Sequence, residues 1–86
     1  PSVRIKFMQN VGQAEKRGFT TPLKRKGQIA LTQQQGGYWA CTVLFIDDKD
    51  RAQAPAFTAP SRQLAYFAGY KFIIETFGAD SIVEPL

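Results

Sequence analysis

Residues 38–47 read YWACTVLFID and are apolar on both sides of an extended chain. Tyr38, Ala40, Thr42, Leu44 and Ile46 fall on one face, and Trp39, Cys41, Val43 and Phe45 on the other. Successive side chains of a strand point in opposite directions, so this stretch cannot keep one face dry and the other wet. It belongs in the middle of a sheet, covered on both sides. That requirement fixes what its neighbours must be. Upstream, residues 28–34 alternate, with Ile29 and Leu31 inward and Gln28, Ala30, Thr32 and Gln34 outward. Gly36 and Gly37, between the two runs, accept positive φ and suit a tight hairpin. Downstream, Asp47, Asp48, Lys49 and Asp50 make a polar turn. Residues 51–58 form the return strand, which Pro55 demotes to a sheet edge because it has no N–H for the ladder. At the start of the chain, residues 2–8 alternate with Val3, Ile5 and Phe7 on one side and Arg4 and Lys6 on the other.

The hydrophobic period then changes from that of a strand to that of a helix. Tyr66, Phe67, Tyr70, Ile73, Ile74 and Phe77 recur as one apolar stripe. The spacing predicts a helix over 59–77, capped by Thr58 or Ser61, with Pro60 in its first turn and Gly78 at its end. On this register Leu64 and Phe72 project from the opposite half, beside Ala65, Ala68 and Gly69. Such a face suggests a second contact surface, and a homodimer interface through Leu64, Ala68 and Phe72 is expected. The plainer alternative is that residues 9–27 cover it. Those residues show neither period, carry Gly12, Gly18, Pro22 and Gly27, and read as a long basic loop, with a helical turn over 13–17 as an option. Ile82 and Val83 suit a short strand before Pro85. The fold class is α+β, one domain over residues 1–86: a small, mainly antiparallel sheet in the order β–loop–β–β–β–α, with one C-terminal helix on one face.

Residues that are absent remove most chemistry. The 86-residue chain has no histidine, which excludes Ser-His and Cys-His pairs and imidazole metal ligands. One cysteine cannot build a structural zinc site or an internal disulfide. Cys41 lies mid-strand among apolar neighbours and reads as an inert core residue. Asp47, Asp48 and Asp50 lack the remaining ligands of a calcium loop, with Lys49 and Arg51 among them, and read as a turn. There is no phosphate-binding loop and no nucleic-acid-binding signature. The expectation is a non-enzymatic protein without cofactor or metal. It has no apolar run of membrane-span length and no charged-then-apolar leader pattern, and a cytoplasmic location is expected.

Charge is what remains. Residues 1–27 hold Arg4, Lys6, Lys16, Arg17, Lys24, Arg25 and Lys26 against Glu15 alone, a balance of +6, while residues 28–86 stand at −2. Such asymmetry suggests a polyanionic partner. With Val3, Ile5 and Phe7 turned towards the helix, Arg4 and Lys6 would share the outer face with Gln28, Thr32 and Gln34, where cations neutralise phosphates and glutamines bond base edges. Two readings stand side by side. One is a nucleic-acid-binding or accessory protein that uses those seven cations. The other is a homodimeric protein-interaction module, or a small-ligand binder with an apolar pocket at the dimer interface.

Overall fold

The computed structural model describes residues 14–86. Six strands and one helix follow in the order β1 (Glu15–Thr20), β2 (Lys26–Gln33), β3 (Trp39–Ile46), β4 (Ala52–Gln53), β5 (Ala56–Ala59), α1 (Arg62–Phe77) and β6 (Ile82–Val83). The strands form one antiparallel sheet in the order β4-β3-β2-β1-β6, with β5 also beside β3. This is the α+β architecture expected, with the C-terminal helix on one face.

The strand over 38–47 is central as expected, since β3 lies between β2 and the β4–β5 edge, but the expected cover on both faces is not found among the described residues. Ile29 pairs with Val43 and Leu31 with Cys41, and all four are fully buried. Gly36 and Gly37 turn the β2–β3 hairpin at φ 96° and 89°. The return strand is broken in two at Pro55, whose carbonyl nevertheless accepts from Val43 N at 2.8 Å. Only one face of β3 is covered among the described residues. Trp39, Cys41, Val43 and Phe45 look towards the helix, whereas Leu44 and Ile46 are exposed.

Two expectations are corrected. The first concerns the loop over 9–27. Glu15–Thr20 is a strand that pairs with β2 over six residues, which also excludes a helical turn at 15–17, and only the turn around 21–25 remains. That turn is held by Thr21 N to Arg25 O at 2.8 Å, with Lys24 at φ 69°. The period was hidden because the inward row of β1 is Glu15, Arg17 and Phe19, with a single apolar member. Phe19 is buried, and its ring lies over Gly27, where a Cβ would stand 2.3 Å from it and 2.7 Å from the Leu44 carbonyl oxygen. The expected strand over 2–8 and the first residues of the loop lie outside the described residues.

The second correction is to the helix. It begins at Arg62, capped by Ser61, whose hydroxyl accepts from Leu64 N at 3.2 Å; Pro60 precedes the cap instead of entering the first turn. Gly78 ends it at φ 122°. The buried row is Ala65, Gly69 and Ile73, while Phe67 and Tyr70 are exposed. The helix is therefore turned from the expected stripe by roughly one residue step, about 100°. Small side chains win this face because they let the helix come close: a Cβ on Gly69 would stand 2.4 Å from Cys41 Sγ. Aromatic rings then close the flank. Phe72 packs on Phe57 at 5.4 Å and Phe45 at 6.2 Å, and Phe77 meets Phe45 edge-on at 5.1 Å.

Candidate functional site

The sheet face turned away from α1 is built from alternate residues of each strand. Lys16 stands opposite Ala30, Thr42 and Ala56 in one row, and Gly18 opposite Gln28 and Leu44 in the next. Thr20 lies between Lys26 and Ile82, while Thr32, Ala40 and Thr58 make the remaining row. Most side chains here are short or polar, with Leu44 and Ile82 the large apolar exceptions, and no described element covers them. Lys16 opposes Ala30, four residues along β2 from Lys26, so their Cα positions are roughly 14 Å apart by strand geometry.

The expected cations separate into two groups. Arg17 is committed: its Nε donates to the Pro85 carbonyl at 2.8 Å, and it stands 3.7 Å from Glu15. Arg25 pairs with Asp48 at 2.9 Å, joining the β1–β2 and β3–β4 turns. Lys16, Lys24 and Lys26 are exposed and make no ion pair among the described residues. All seven Asp and Glu residues of the chain lie within the described part: Glu15, Asp47, Asp48 and Glu75 are ion-paired, and Asp50, Asp80 and Glu84 are not. Arg4 and Lys6 lie outside the described residues.

At one corner of this face lies a depression of about 440 Å³, lined by Gly18, Thr20, Lys26, Gln28, Ile82 and Glu84 around the backbone of Phe19 and Gly27. Glu84 is fixed there from three directions. Its N–H donates to the Gly18 carbonyl at 2.9 Å, its carboxylate accepts from Gly18 N, and its carbonyl accepts from the Tyr66 hydroxyl at 2.8 Å. Burial pushes the Tyr66 hydroxyl pKa up. Sequence reasoning missed this site because β6 lies far along the chain from β2, and only the Phe19–Val83 and Thr20–Ile82 pairing brings Ile82 and Glu84, across β1, to the same depression as Lys26.

Other ionisable groups are structural. Glu15 takes two hydrogen bonds from Arg62, at 2.8 and 2.6 Å, which hold its carboxyl below the ordinary range and tie β1 to the start of the helix. The Asp47 carboxylate accepts from Arg51 N and Lys49 N at 2.9 Å and from Gln53 at 2.8 Å, and these bonds lower its pKa, the Arg51 N–H foremost. Burial pushes the Cys41 thiol up to about 11. Among the described residues no group of three or more Cys, Asp or Glu side chains is placed to hold a metal ion, and no helix is long and apolar enough to cross a membrane.

Of the expected interface residues, Leu64 is 53% exposed, Ala68 is half-buried, and Phe72 is packed within the aromatic flank instead of projecting outward. The outward strip of α1 consists of Leu64, Phe67, Tyr70 and the half-buried Ile74. Comparison with protein-family models, with curated proteins and with solved structures gives no match to this chain.

Proposed function

We propose that this chain is a non-enzymatic nucleic-acid-binding protein that engages phosphates with Lys16, Lys24 and Lys26 across the open face of its sheet. The observation that carries the reading is the exposed positive charge: these three lysines lie on or beside the open face, and none forms an ion pair with any of the chain's seven carboxylate side chains. Thr20, Gln28, Thr32 and Thr42 supply hydrogen-bonding groups between them. Five strand positions at about 4.8 Å make a face roughly 19 Å wide, broader than the major groove of about 12 Å. That width suits a single strand lying across the sheet rather than insertion into a duplex groove. A binding role without catalysis fits a sequence lacking histidine and a buried, protonated cysteine, and the lone cysteine fits a reducing, cytoplasmic setting.

Amide chemical-shift mapping with a single-stranded oligonucleotide tests the reading. The expected result is perturbation at Lys16, Gly18, Thr20, Lys24, Lys26 and Gln28. No perturbation at about 50 mM salt, where phosphate contacts are strongest, would overturn it.

One observation favours a second reading, self-association. Leu64, Phe67 and Tyr70 are exposed along the outside of α1, with Lys71 and Glu75 one turn apart beside them. An antiparallel second copy would cover the apolar strip and set each charge against its opposite on the partner. Phe67→Glu would then lower the solution mass to that of a monomer. A wild type already monomeric at high micromolar concentration rules this reading out.

A further inference from the structure

We propose that the depression beside β6 is a base-recognition subsite that selects guanine from a single strand crossing the open sheet face; the inference rests on the nucleic-acid reading above. Its volume of about 440 Å³ sits at the lower end of the range of small-ligand sites, about 300–1,000 Å³. Its walls combine the two properties of a nucleobase. Ile82, 72% exposed, borders it, and Leu44, which opposes Gln28, is exposed beside it, so apolar surface is available to a flat ring. Its lining also carries polar groups: the Lys26 ammonium donates, the Glu84 carboxylate accepts, and Gln28 does both.

Glu84 decides the kind of ligand. A carboxylate on a face that binds phosphates repels them, so its place here points to a neighbouring group that donates hydrogen bonds. It makes no ion pair among the described residues. One carboxylate oxygen is anchored by Gly18 N, which leaves the other oxygen available as an acceptor. Gly18 itself keeps the place open, since a Cβ there would stand 2.9 Å from that anchored oxygen. Among the four DNA bases, guanine alone presents two adjacent donors on its pairing edge, N1–H and the N2 amino group, next to an acceptor, O6. The free Glu84 oxygen, with its two lone pairs, matches the adjacent donors, and Lys26 matches O6 or N7. In a duplex N1–H is already bonded to cytosine, so this recognition needs an unpaired strand.

The test is fluorescence anisotropy on the full chain with labelled oligo(dT) of about twelve nucleotides, compared with the same oligomer carrying one central dG or one central deoxyinosine, which lacks the N2 amino group. Wild type is expected to bind the dG oligomer about tenfold more tightly than oligo(dT), the size of one good base contact, with deoxyinosine between them. Glu84→Gln keeps an acceptor for Gly18 N. It is expected to erase the preference while binding oligo(dT) at least as well as wild type. Equal, salt-dependent binding of all three oligomers would overturn the subsite and leave the phosphate-binding reading standing. No binding of any oligomer would overturn both. Free guanosine monophosphate binding as tightly as the dG oligomer would replace a strand subsite with a nucleotide site and overturn the proposal as stated.

Discussion

At Gly69 the helix comes so near the sheet that an added methyl group has nowhere to go: its carbon would stand 2.4 Å from Cys41 Sγ. On a free helix surface Gly→Ala stabilises by up to about 1 kcal/mol. Here Gly69→Ala is expected to destabilise by roughly 1–3 kcal/mol through overpacking. Urea unfolding gives the sign directly, and adding Cys41→Ala should recover most of the loss because it removes the atom in the way. A stabilised Gly69→Ala protein would mean that the helix is not seated as described. The same geometry separates two large residues that look equivalent in the sequence. Ile73→Ala should cost about 3 kcal/mol, since Ile73 is fully buried. Phe67→Ala should change stability by no more than about 0.5 kcal/mol, since Phe67 is 59% exposed. The apolar stripe was legible as a helix signal, but its orientation was not. Counting large side chains favours the Phe67 side, whereas close packing rewards the row of small ones, Ala65 and Gly69.

Between elements, β1 and α1 are linked by the Glu15–Arg62 pair. The folded-state pKa of Glu15 lies below its ordinary 4.5. A carboxyl shifted downward contributes stability that is fully present above its unfolded pKa and is lost as pH falls through the folded value. Asp47 shifts in the same direction. Thermal melts of wild type and Arg62→Met should therefore differ most near neutrality and converge as pH falls through and below the lowered pKa of Glu15. A difference that does not change with pH would show that Arg62 acts through packing alone. This pair also explains why β1 escaped sequence reasoning. A strand whose inward row is Glu15, Arg17 and Phe19 has no apolar period, and besides the local Arg17–Glu15 pair its charges are tied to partners distant in the sequence, Arg62 and Pro85. β2, β3 and the Gly36-Gly37 hairpin were legible because their alternation and turn chemistry are local.

For the whole molecule, a helix on one side leaves the other side of the sheet, among the described residues, with mostly small, polar and basic residues beside the exposed Leu44 and Ile82, and the proposed function belongs to that face. The N-terminal charge excess was plain in the sequence, but which cations are unspent was not, because it depends on pairs such as Arg25–Asp48 that join separate turns. The most direct test is the salt dependence of single-strand binding by wild type and by a variant with Lys16, Lys24 and Lys26 all changed to Ala. Each phosphate contact on a single strand contributes about −0.7 to the slope of log K against log salt. Lys16, Lys24 and Lys26 are exposed and carry no core, so the variant should melt like wild type, while its slope should become shallower by about 2. An unchanged slope in a variant that remains folded would contradict the assignment of the open sheet face to phosphate binding.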